Sequence, residues 1–206
     1  MDGHNDHKKD MPSNEDTFVQ DWSDNYFLKT RAIVEKFGDI TVTYAVFMRR
    51  PVVFTPKLVV DWLNKVASER GVTFTIDLNY NEGEWAGAGE PLMYITGSMA
   101  HLVDLETLYL QKLGACCVAA YNAHTMCMDL PDVSFLAMDC RHCAGSEMAE
   151  MMAYAASVGS EAARKRVGAK GFVANATNAT AHYFGQDSGK GTMPHALIGY
   201  AGSTVR

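Results

Sequence analysis

The sequence predicts an α/β fold, and two observations carry the prediction. Along residues 17–104, segments with helical apolar spacing are mixed with segments of strict alternation, without a regular βαβ order, which reads as an α+β layer. Residues 105–206 instead run helix, strand, helix, strand, helix. That order belongs to a parallel sheet or a barrel segment, because parallel neighbours need a crossover helix.

Taken in order, residues 1–16 (MDGHNDHKKDMPSNED) have almost nothing to bury and read as a disordered tail, in which His4 and His7 are solvated. YFLKTRAIVEKF has helical spacing, and ITVTYAVFM alternates as a strand. TPKLVVDWLNKVASERG is a helix opened by Thr55-Pro56 and closed by Gly71. VTFTIDLNY alternates again, EGEWAGAGE forms turns, and PLMYITGSM is a short β-rich run. LETLYLQKLGACCVAAYNAHTM then reads as a long apolar helix and VSFLAMD as a buried strand. SEMAEMMAYAASVGSEAARKRV is a helix, GFVANAT a strand and NATAHYFG a short helix. The methionines Met148, Met151 and Met152 are spaced to fill core on one helix face.

Composition narrows the function classes. At 206 residues the chain can bury a substantial core, with 48% hydrophobic and 20% charged residues. A net charge of -6 argues against a partner whose affinity rests on lysine and arginine, so nucleic acid is not expected. No apolar run reaches bilayer length and the first residues lack an apolar signal core, so no membrane is expected and the cytoplasm is the expected address. Five cysteines in irregular spacing make no disulfide framework and suit a reducing compartment.

Three candidate sites fall where such folds collect chemistry, after the strands. Behind VSFLAMD stands Asp139-Cys140-Arg141-His142. Arg141 offers a planar fork to a carboxylate or phosphate, or a rim salt bridge to Glu147. Cys140 and Cys143 form a CxxC without a second metal-ligand pair, open to zinc or redox readings. Behind GFVANAT, Thr177 and Asn178 are either helix caps or part of an anion site. Near the last predicted element, Gly191 and Thr192 could donate to a phosphate beside His195, which is either a reactive imidazole or a core-edge residue. His101, His124 and His182 lie in helical or apolar stretches and read as structural, and the glycines of GAGEP and GKG read as turns.

GTMPHALI, the LET of Leu105-Glu106-Thr107, the EPLMYITG strand, Asp24-Asn25-Tyr26 and FLAMDCRH together resemble the nicotinate phosphoribosyltransferases, in that family's order and over about residues 21–206. The resemblance implies an N-terminal α+β sandwich domain (17–104) followed by the first part of an irregular, TIM-like α/β barrel (105–206). It also implies a homodimer with shared active sites. The implied reaction joins nicotinate to phosphoribosyl pyrophosphate, with Mg2+ and with ATP as co-substrate, in NAD biosynthesis. Quinolinate and nicotinamide phosphoribosyltransferases are the near alternatives, and a non-catalytic dimerisation or regulatory remnant is the alternative of another class.

By the same resemblance Tyr26 reaches from the neighbouring subunit to stack on the pyridine ring. Arg141 contacts anionic substrate groups, Glu106 is the acidic residue of the LET helix, and Thr177 and Asn178 lie beside the ribose. His195 is the histidine that ATP phosphorylates; Thr192 is counted with the substrate-binding residues from its place beside His195, not from the resemblance. Two departures stand out. The Phe-Gly-x-Arg pattern is replaced by Met138-Asp139-Cys140-Arg141, which leaves one face of the pyridine sandwich unassigned. Relatives also continue past the histidine segment, so a fragment with little activity of its own is expected.

Overall fold

A computed structural model describes residues 14–191 and 193–202. The tail ahead of Asn14, with His4 and His7, and Thr192 lie outside the described residues. In chain order the elements are α1 (Asn14–Trp22), α2 (Asn25–Phe37), β1 (Thr41–Phe47), β2 (Val52–Val53), α3 (Lys57–Glu69), β3 (Thr75–Leu78), β4 (Trp85–Ala86) and β5 (Pro91–Ser98). There follow α4 (Met99–Leu102), α5 (Glu106–Asp129), β6 (Ser134–Ala137), α6 (Ser146–Val167), β7 (Gly171–Asn175) and α7 (His195–Ala201). The chain is α/β, as its pattern predicts.

Two compact units divide it, and both are discontinuous in sequence. Of the described residues, the first comprises 14–47, 57–79 and 91–113; the second comprises 48–56, 80–90, 114–191 and 193–202. The unit boundary falls within α5, which begins in the first unit and ends in the second.

The first unit is an antiparallel sheet in the order β1-β5-β3, with helices. Val59, Trp62, Leu63, Val66 and Ala67 recur at helical spacing and form the buried stripe of α3. Leu92, Met93 and Ile95 of β5 and Leu102 and Leu105 behind it complete a core with no exposure to solvent. The first turn of α1 is tied to α3 and its end: Glu15 accepts from Trp62 Nε1 at 2.8 Å and pairs with Lys65, and Asp16 pairs with Arg70. Glu15 and Asp16 are therefore ordered helix residues, not tail. Contacts to the buried Trp62 and Arg70 offset the low apolar content of α1.

Asp104 holds this unit at one point. Its carboxylate is fully buried and takes Arg70 in a two-pronged grip, at 2.8 Å on each oxygen, while Arg31 approaches at 2.7 Å. A buried carboxylate is tolerated only when its charge and lone pairs are met in this way.

In the second unit β6 and β7 pair in parallel, and α6 is the helix that connects them. Gly159 lets α6 lie directly against the backbone of α5 near Ala120 and His124, an approach any side chain would block. Cys127, Ala163 and Ala169 form a small core there, against Phe135 and Phe172. β2 and β4 add a separate two-stranded ladder.

Several local expectations change. VSFLAMD is not a fully buried strand: Ser134 is exposed, Phe135 and Leu136 are half-buried and only Ala137 is buried in β6. NATAHYFG forms a 3-10 helix over Asn178–Phe184. Of the three methionines only Met151 reaches the core, whereas Met148 is exposed. His124 is buried and its imidazole is held below its usual range by that burial and by Arg166, but His182 lies exposed with its ring against Tyr183. No helix of the described residues is long and apolar enough to cross a membrane.

Candidate active site

The candidate residues fall into two groups, one in each unit. In the first unit the DNY and LET motifs meet although they stand about eighty residues apart. The N–H of Asp24 donates to Thr107 Oγ1 at 3.0 Å, and that hydroxyl donates back to Asp24 Oδ2 at 3.1 Å. Asp24 thus grips α5 instead of capping α2 with its side chain. Glu106, at the first position of α5, is half-buried; burial and then the charge of Asp24 hold its carboxyl above the usual range. Tyr26 follows Asp24 by two residues and is 59% exposed. Local desolvation, Asp24 and Glu106 together raise its phenol. An exposed aromatic ring bordered by two carboxylates can stack on a flat, electron-poor ring.

In the second unit, the C-terminal ends of the parallel strands define one edge. Ala137 and Asn175 are register partners, and the N–H of Ala176 donates to Ala137 O at 3.0 Å. From that edge the chain leaves β6 into the 3-10 turn Cys140–His142 and leaves β7 into Ala176–Asn178. Arg141 is exposed on its turn, and among the described residues it makes no ion pair to Glu147 or any other acid. Its guanidinium is open to an incoming anion.

Thr177 and Asn178 are not the simple caps that their residue types allow. Thr177 precedes the 3-10 helix without a side-chain capping bond. Its hydroxyl lies 3.0 Å from Asn175 Nδ2 and 2.8 Å from Thr180 Oγ1, and Nδ2 also donates to Thr180 Oγ1. Asn175 Oδ1 is buried without a partner among the described residues. Asn178 Oδ1 accepts the N–H of Gly189 at 2.9 Å, and Lys190 N–H reaches Asn175 O at 2.7 Å. The GKG segment is consequently docked on the end of β7.

Gly189 is required by that docking. A Cβ there would stand 2.7 Å from the backbone of Ala176 and Thr177. Sequence reasoning leaves GKG as a turn; its flanking glycines are the only signal of a close backbone approach. His195 begins α7 and is exposed, so a core-edge role does not apply. Cys140 and Cys143 are free thiols, and no group of three potential metal ligands converges among the described residues.

Comparison with solved structures identifies the architecture. The crystal structure of nicotinate-nucleotide pyrophosphorylase from Pyrococcus furiosus matches 96% of this chain with a TM-score of 0.70 and 25% identity. Human nicotinic acid phosphoribosyltransferase matches 87% with a TM-score of 0.67 and 16% identity, and NadC from Streptococcus pyogenes matches 94% with a TM-score of 0.58 and 17% identity. The chain has a phosphoribosyltransferase fold. It spans 48%, 40% and 61% of the lengths of these three structures, respectively. No family model and no curated protein matches the sequence.

Within the phosphoribosyltransferase fold, an open groove of about 800 Å3 in the second unit is lined by Glu82, Arg164, Lys165, Phe172 and Tyr183. It contains none of the candidate residues. Much of its charge is already paired, Arg164 with Glu161 and Glu82 with the Tyr154 hydroxyl. The strand-end edge, with an open cation and a docked glycine loop, is chemically the better candidate.

Proposed function

We propose that the chain acts in NAD biosynthesis as a nicotinate phosphoribosyltransferase. The observation that carries this reading is the docking of the Gly189–Gly191 segment, which leads to the exposed His195, on the β7 end that bears Thr177 and Asn178. The fold shared with the solved phosphoribosyltransferases supports it.

In the proposed reaction the ring nitrogen of nicotinate attacks the anomeric carbon of phosphoribosyl pyrophosphate as the bond to pyrophosphate breaks. Pyridine nitrogen becomes pyridinium and no proton need be moved, so the chain's task is to orient two anions and a ring. Arg141 is assigned to a substrate anion and Tyr26 to stacking on the ring, from a neighbouring subunit. Glu106, beside Tyr26, is assigned to substrate positioning. Thr177, Asn178 and Thr192 are assigned to ribose and phosphate oxygens. His195 accepts the ATP phosphoryl group, placing a dianion near the pyrophosphate site and so altering substrate and product affinity in turn. Magnesium would arrive with pyrophosphate and ATP; among the described residues no three His, Cys, Asp or Glu side chains converge to hold it. The exposed stripe of Tyr26, Ile33 and Phe37 on α2 supports the homodimer.

The test supplies nicotinate, quinolinate or nicotinamide with phosphoribosyl pyrophosphate, Mg2+ and ATP, and reads mononucleotide formation alongside binding of nicotinate mononucleotide. Because the chain spans about half the length of these structures, binding of nicotinate mononucleotide and only weak nicotinate-dependent product, increased by ATP, are expected. Product from quinolinate with release of carbon dioxide would overturn the assignment in favour of the quinolinate enzyme, the reading that the Pyrococcus match favours.

A further inference from the structure

The turn that carries Arg141 is bounded by two thiols that differ from the rest of the chain's cysteines. Cys116, Cys117 and Cys127 are at most 1% exposed, whereas Cys140 is exposed and Cys143 half-buried. Residues 140–142 form a 3-10 turn, and the N–H of Cys143 donates to Cys140 O at 3.2 Å. An i to i+3 bond of this kind brings the outer Cα atoms within about 7 Å. A disulfide needs roughly 4.4–6.8 Å between them, so the backbone is already close to the spacing a bridge demands.

The surroundings also distinguish the two sulfurs. Cys143 Sγ lies 3.5 Å from Asp139 O and 3.9 Å from Asp139 Oδ2. Burial first, then Asp139 and Cys140, push the Cys143 thiol up, so it rests as a protonated donor beside an acceptor. Cys140 has open solvent in front of it and is the first contact for a dissolved oxidant.

We propose that Cys140 and Cys143 are a reversible dithiol–disulfide pair, oxidised by a small disulfide such as glutathione disulfide, that closes a covalent ring around Arg141. The Cys140 thiolate attacks glutathione disulfide, forming a mixed disulfide and releasing one glutathione thiolate. Cys143 gives up its proton, with Asp139 the nearest acceptor, and attacks Cys140 Sγ, expelling the second glutathione. The balance is two protein thiols and one glutathione disulfide in, one protein disulfide and two glutathiones out. Closure fixes the backbone on both sides of Arg141. Its consequence for substrate binding rests on the role of Arg141 proposed above; the thiol chemistry does not.

Denaturing tryptic digestion after treatment of the full chain with glutathione disulfide tests this directly, because trypsin cuts after Lys112, Arg141 and Arg164. Cys143 is the only cysteine of peptide 142–164, and Cys140 is the last of peptide 113–141. The two peptides are expected as one joined species that dithiothreitol separates, lost in both Cys140→Ser and Cys143→Ser, with the three buried thiols still reduced. Separate peptides with free thiols, glutathione retained on Cys140, or covalent chain dimers on a non-reducing gel would each overturn the pair. Nicotinate mononucleotide affinity, measured before and after oxidation, is expected to change several-fold. An unchanged affinity with the bridge formed would overturn the coupling to Arg141 alone.

Discussion

The N–H of Gly189 donates to Oδ1 of Asn178 at 2.9 Å, across eleven residues of sequence, at a point where no side chain fits. Gly189→Ala must therefore lift the loop off β7 and break this bond together with the one from Lys190 N–H to Asn175 O. At about 1 kcal/mol per bond, the loss in urea unfolding should be about 2 kcal/mol. Gly191 has open space around its Cα, so Gly191→Ala should stay within about 0.5 kcal/mol of the wild type. Equal effects of the two substitutions would contradict the docking argument.

Removing Asp104 should cost more than any surface ion pair. Asp104→Ala leaves Arg70, whose side chain is 3% exposed, without its two-pronged partner, and about 3–5 kcal/mol of stability should be lost. The paired substitution Asp104→Leu with Arg70→Met, which removes both charges, should recover a large part of that loss in the same denaturation experiment. No recovery would mean that the cost is set by Arg31 and Asp16, which the paired substitution leaves without these partners.

Glu106 should oppose stability while serving the site. Its carboxyl is raised in the folded chain, so the folded state holds the proton more tightly than the unfolded one. Ionised Glu106 consequently costs stability above its raised range, and that cost vanishes as pH falls through the carboxylate range. Glu106→Gln should be more stable than wild type at neutral pH, with the gap closing on acidification, and should bind nicotinate mononucleotide less well. Thermal melts across pH would show the sign; a gap that widened on acidification would refute it.

His195→Ala should abolish acid-labile phosphoryl label from ATP and remove any ATP stimulation of turnover. Because His195 is exposed at the start of α7, the substitution should leave the melting temperature nearly unchanged. Label that persisted in the variant would transfer the acceptor role to another residue.

The α6 boundaries are legible in the chain because local rules agree there: Glu147 in the first turn, Arg164, Lys165 and Arg166 in the last, and Gly168 in the left-handed region beyond. β2 and β4 have two residues each, too few to show a period. α1 escapes for a different reason, since Val19 is the one fully buried residue among its described side chains and its first turn is held by partners from α3 onward. The depth of β6 is misread because an apolar run does not say how many of its faces are covered.

By itself the sequence determined the α/β character, the order of the long elements, and the residue types that make Arg141, Tyr26 and His195 chemical candidates. Those properties follow from spacing along a few turns or a few alternations. Only the tertiary structure decided that Asp24 grips Thr107, that Asp104 is met by two arginines, and that GKG rests on the end of β7. Each of these joins groups that chain spacing cannot pair, because hydrogen bonds and buried charges are satisfied by whatever polar group the folded backbone brings within reach.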